Sequence, residues 1–79
     1  MKWVDNLPSD VYNRLRNCRS TKEDIQTLVN VKWAAMKANG KQEQGFTKED
    51  ALVDILELLD SNGHFFDLTR EEYDELKHE

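Results

Sequence analysis

Cysteine is almost missing from this chain. Cys18 stands alone among 79 residues, so no intrachain disulfide can form, which suits a reducing compartment. One cysteine and two histidines, His64 and His78, are too few for the closed four-ligand set of a structural zinc site. Both histidines lie at the far end of the chain, away from Cys18. Helical spacing puts Cys18 on an apolar stripe with Val11 and Leu15, so a small buried hydrophobe is expected there, not a thiol nucleophile. Long apolar runs are missing too. The longest, Trp33-Ala34-Ala35-Met36, is far shorter than the roughly 20 residues of a membrane-spanning helix, and no apolar stretch follows Met1-Lys2. A soluble, cytoplasmic protein without membrane contact is expected.

What is present suffices for one small domain over residues 1–79, with 38% apolar and 34% charged residues. A chain of this size buries only about 60% of the surface it exposes when unfolded, so a deep substrate cavity would compete with the core for the same side chains. Carboxylates are plentiful but cluster on faces expected to be wet, where nothing raises a pKa for general-acid work at neutral pH. No enzyme and no cofactor are expected.

The same four-residue chemistry opens three segments: Thr21-Lys22-Glu23-Asp24, Thr47-Lys48-Glu49-Asp50 and Thr69-Arg70-Glu71-Glu72. A threonine at the N-cap accepts a bond from an orphan backbone N–H, and the acidic third residue after it reaches back to the cap. A further helix opens at Leu7-Pro8-Ser9-Asp10, since proline is tolerated in a first turn. The spacing predicts an all-α fold: helices over about 8–18, 21–38 and 48–60, with a short C-terminal one over 70–77. The second presents Ile25, Leu28, Val29, Trp33 and Met36 on one face; the third presents Leu52, Ile55, Leu56 and Leu59. Asn39-Gly40 and Asn62-Gly63 are left-handed stops. The polar stretch from Asn39 to Gly45 is expected to be a flexible connection. Trp3-Val4 and Phe65-Phe66 are expected to form a minimal two-stranded pairing, with the aromatic residues gathered near it.

Charge is distributed unevenly along the chain. Up to Lys41 there are eight Lys or Arg against four Asp or Glu, a net +4; the remainder has three against twelve, a net −9, and the whole carries −5. Such polarity steers association with a complementary partner and can join two copies head to tail. In the basic half, Arg14, Arg16, Arg19 and Lys22 crowd the turn between the first two helices. With Gln26 and Asn30 on the second helix they make a helix-turn-helix DNA-binding reading chemically sensible, because glutamine and asparagine can read adenine edges. Against it stand the lack of glycine in the turn, Glu23 and Asp24 where phosphates would approach, and the acidic whole-chain charge. In the acidic half, Asp50, Asp54 and Glu57 form a stripe beside an exposed Val53, a surface that can face a protein partner or only water.

Two further features bear on sites. Asp60-Ser61-Asn62-Gly63-His64 between helices invites comparison with a calcium loop, but its sixth residue is Phe65 where glycine is needed, so no metal is expected. Lys32 falls within the apolar stripe of the second helix, where a bare ammonium would be costly; it either reaches water or a carboxylate, or meets a partner. The primary expectation is a non-catalytic protein-binding module, a small acidic regulator or inhibitor of a larger cytoplasmic protein, acting through Asp50, Val53, Asp54, Glu57 and Lys32, with a homodimer open. The alternative is the DNA-binding regulator.

Overall fold

The computed structural model describes residues 3–77. It is a mainly helical small fold: a 3₁₀ turn over Trp3–Asn6, α1 over Ser9–Arg16, β1 over Arg19–Ser20, α2 over Lys22–Ala38, α3 over Lys48–Ser61, β2 over Phe65–Phe66 and α4 over Arg70–Lys77. α2, α3 and α4 begin where the threonines stand, while α1 starts after Pro8 with no side-chain cap. Thr21 accepts from the Asp24 N–H while the Asp24 carboxylate accepts from the Thr21 N–H, and Thr47 with Asp50 and Thr69 with Glu72 repeat the exchange. Each reciprocal cap satisfies two backbone donors that an α-helix leaves orphaned.

The helix ends share a second device. At the end of α2 the Gly40 N–H bonds the Lys37 carbonyl and the Lys41 N–H bonds that of Met36; at the end of α3, Gly63 and His64 do the same to Asp60 and Leu59. Both glycines have positive φ, 77° and 69°, the left-handed geometry this closure needs. The end of α1 uses the same kind of turn with a different residue. Cys18 has φ 59°, and its N–H bonds the Leu15 carbonyl. In all three, the preceding asparagine (Asn17, Asn39 or Asn62) donates its side-chain amide to the carbonyl four residues back. Cys18 is therefore exposed, contrary to the expected burial, because α1 stops at Arg16 and its stripe does not extend to residue 18.

The core is one cluster of Val11, Ile25, Leu28, Val29, Ala51, Leu52, Ile55, Leu56, Leu59 and Leu76. α2 and α3 supply most of it by packing face to face, the 3₁₀ turn lies against α2, and α4 docks on α2. Leu76 anchors α4, buried, with Tyr73 packed beside it. At about 25 cal/mol per Å² of apolar surface removed from water, this burial is the main force holding the helices together.

The expected strand pairing of Trp3-Val4 with Phe65-Phe66 is corrected. Trp3 and Val4 lie in the 3₁₀ turn, and β2 pairs in parallel with β1, Arg19 opposite Phe65 and Ser20 opposite Phe66. The Phe65 N–H bonds the Cys18 carbonyl at 2.9 Å and the Asp67 N–H bonds that of Ser20 at 2.7 Å. The reversal at Cys18 turns the chain along β2 and offers it those carbonyls. The segment read as a helix-turn-helix turn is thus a strand.

Four of the aromatic rings each stand beside a cation. Phe65 lies under Arg19, Trp33 under Lys37, Phe46 under Lys41 and Tyr73 under Lys77, with the cations 4.7–6.0 Å from the ring centroids. Each ring is covered locally by a cation. The connection between α2 and α3 is a series of hydrogen-bonded turns, with the Gln44 and Phe46 N–H groups both bonding the Lys41 carbonyl, a more ordered arrangement than its composition suggests.

Candidate functional site

The basic residues at the α1–α2 junction are drawn into the fold. Arg14 reaches from α1 to Asp24 in the first turn of α2, its Nε and one terminal nitrogen each 2.6 Å from a carboxylate oxygen. Asp24 is only 2% exposed. The paired guanidinium holds its carboxyl below the usual carboxylate range against the opposing effect of burial, with the Thr21 cap lowering it further. The same pairing raises Arg14. A two-pronged arginine–carboxylate contact of this kind fixes orientation as well as charge, so it sets the angle at which α1 leaves α2. Arg14 also meets Asp10 one turn back at 3.4 Å.

Arg19 pairs with Asp67 at 3.3 Å, and Lys22 pairs with Glu75. Lys22, Gln26 and Asn30 are spaced four apart and form one stripe of α2. α4 lies along that stripe: Glu75 takes Lys22, while Gln26 and Asn30 line a cleft with Leu76 and Lys77. Of the cations assigned to nucleic acid, Arg16 alone is exposed without an ion pair among the described residues, and Asn30 is exposed as well. Arg14, Arg19 and Lys22 are each held by a different carboxylate, Asp24, Asp67 and Glu75. Lys32 is half-buried and engaged in an interaction within the fold.

The acidic stripe of α3 is different. Asp50, Val53, Asp54 and Glu57 are all exposed. Asp50 is the capping residue of its own helix, but Asp54 and Glu57 have no ion pair among the described residues. Val53 is 45% exposed and Leu58, one turn beyond Asp54, is 50% exposed. The outer face of α3 therefore carries acids bordered by apolar side chains. Leu58 lies outside the buried set of α3, Ala51, Leu52, Ile55, Leu56 and Leu59.

Leu58 forms part of an apolar groove of about 430 Å³ between α1 and α3. Leu15 and Cys18 make one wall, Leu58, Leu59 and Asn62 the other, and Leu28, Ile55 and His64 the floor. Sequence reasoning missed this groove, because it exists only once Cys18 has turned the chain and separated the end of α1 from α3.

Sequence reasoning also missed a contact between Ser20 and His64, whose Oγ and Nε2 are 2.7 Å apart. No motif announces it; the β1–β2 pairing brings together residues 44 positions apart. Ser20 is 1% exposed and His64 9%. Burial pushes the imidazole below its ordinary value, with a hydrogen bond to the Arg19 backbone opposing, which favours the neutral ring near pH 7. A serine sealed from solvent cannot reach a substrate, so the contact closes the junction of the two strands. Among the described residues no three His, Cys, Asp or Glu side chains converge as a metal ion would need, and no helix is long and apolar enough to cross a membrane.

Compared with models of known protein families, with curated proteins and with solved structures, the chain matches none.

Proposed function

We propose that this chain is a non-catalytic protein-binding module, a small acidic regulator or inhibitor that occupies a surface of a larger cytoplasmic protein through the outer face of α3. The observation that carries this reading is the pairing state of the charges. Arg14, Arg19 and Lys22 each hold a carboxylate of the same chain, whereas Asp54 and Glu57 are exposed beside Val53 and Leu58 with no cation paired to them among the described residues. Exposed apolar groups set among charges that fold stability does not use fit a surface selected for contact. Unpaired carboxylates also raise the rate of encounter with a basic partner.

The DNA-binding reading loses support for the same reason. Phosphates would have to displace Asp24, Asp67 and Glu75 from the cations that already hold them, and α4 stands beside the stripe that carries Gln26 and Asn30. The experiment is capture from lysate at low and high salt, run beside a duplex-DNA mobility shift. A partner retained at low salt and released at high salt is expected, with no shift of DNA. A salt-dependent DNA shift that Arg16→Ala weakens, with no protein retained, overturns the proposal. Light scattering in solution, run alongside, identifies the case in which the partner is a second copy.

A further inference from the structure

The groove between α1 and α3 has the chemistry of a side-chain socket. Its lining is leucine and isoleucine apart from Cys18, Asn62 and His64, and the His64 Nε2 is already engaged by Ser20. A free small molecule in a protein pocket is oriented by several convergent polar groups, and here the Asn62 amide already donates to the Leu58 carbonyl. Large apolar side chains carried on a partner's backbone need no such groups. The charge beside the α3 wall is negative: Asp54 stands one helical turn before Leu58 and Glu57 immediately before it, both without an ion pair among the described residues.

We propose that this groove receives an amphipathic, positively charged helix of a partner protein, its apolar residues seated against Leu15, Leu58 and Leu59 and its lysines or arginines over Asp54 and Glu57. This rests on the protein-binding reading and specifies the partner's surface. Helix-in-groove recognition uses apolar anchors spaced three and four apart, and the cationic flank supplies direction and specificity through charge complementarity.

The test uses the full 79-residue chain and three synthetic peptides of about 16 residues, long enough to form helix on a surface. One alternates leucine and lysine at helical spacing, one replaces lysine by glutamate, and one keeps lysine but replaces leucine by serine. Binding is read by fluorescence anisotropy and located by amide shifts in NMR. The leucine–lysine peptide is expected to bind at least about tenfold more tightly than either control and to shift Leu15, Cys18, Leu58 and Asn62. Leu58→Asp should weaken it about tenfold even though it adds a favourable charge, and Asp54→Lys, which leaves Glu57 facing one new cation, should remove the preference for the lysine peptide over the glutamate peptide. Circular dichroism checks that both variants fold. Equal binding of the glutamate or serine peptide, shifts confined to another face, indifference to Leu58→Asp, or no binding at millimolar peptide each overturn the proposal. A chain that binds none of the peptides yet still holds a lysate partner loses this inference and keeps the broader reading; one that does neither loses both.

Discussion

Arg14, Arg19 and Lys22 lie within nine positions of one another and each pairs with a carboxylate of the same chain, while Asp54 and Glu57, on the outer face of α3, are exposed and have no ion pair among the described residues. Both regions look alike as sequence, a run of one sign at helical spacing. What separates them is the position of their elements. The α1–α2 junction is where the chain crosses itself, with β2 and α4 returning along it, so Arg19 and Lys22 meet Asp67 and Glu75 from the distant acidic half while Arg14 meets Asp24 at the start of α2. Among the described residues nothing covers the outer face of α3, where Asp50, Val53, Asp54 and Glu57 are exposed. A charge cluster near a crossing of the chain belongs to the architecture; one on an uncovered helix face is free for association.

The sharpest way to break that contrast is to remove one charge from each side. Asp24→Ala deletes a helix cap worth about 1 kcal/mol and a charged hydrogen bond of about 1.5–3 kcal/mol, so a loss on the order of 2–4 kcal/mol is expected. In thermal denaturation this is a fall of at least ~10 °C, and a fall of only a degree or two would mean that Asp24 is no more structural than a surface acid.

pH separates two buried groups of the fold, His64 and Asp24. The unfolded chain protonates His64 near 6.5, whereas burial keeps the folded ring neutral to lower pH. Stability from this source is therefore complete above about 6.5, declines as pH falls through it, and levels off once the folded ring also takes up a proton. Asp24, held down by Arg14, acts in a lower window: its contribution is present above its unfolded value of 3.8 and is lost as pH falls below that through its folded pKa. Denaturant melts between pH 7 and 5 should show the first decline in the native chain and a flatter profile in His64→Gln. A profile unchanged by that substitution would put the titrating group elsewhere.

Much of the architecture was legible in the residues, because capping is local chemistry. Three threonines with an acid three positions on announce three helix starts, and Asn39-Gly40 and Asn62-Gly63 announce two ends. The third end, Asn17-Cys18, was not legible, since a cysteine hides a left-handed position that glycine advertises. That one misreading had consequences: it extended α1, buried Cys18 and left β2 without its partner strand. The groove, the Ser20–His64 contact and the Arg14–Asp24 pair all depend on long-range placement and leave no local signature. Of the acidic site, the exposure of Asp54, Glu57 and Val53 followed from helical period, while that of Leu58 depended on α1 standing apart from α3.

Cys18→Gly sharpens the comparison at the junction itself. Relief of the left-handed strain should raise stability by up to about 1 kcal/mol, and a destabilised variant would show that the cysteine side chain contributes packing in the groove that outweighs the strain. The smallest effect on folding is expected on the outer face. Asp54→Ala and Glu57→Ala should each stay within about 0.5 kcal/mol of the parent chain, and larger losses in the melts would place these acids among the structural charges.

The most direct test of association through α3 is capture of the low-salt partner by the parent chain and by the double variant Asp54→Lys, Glu57→Lys, with melting curves of both proteins taken in parallel. An unchanged melting temperature together with loss of the retained partner is the predicted result. A double variant that melts like the parent and still holds the same partner would contradict the account.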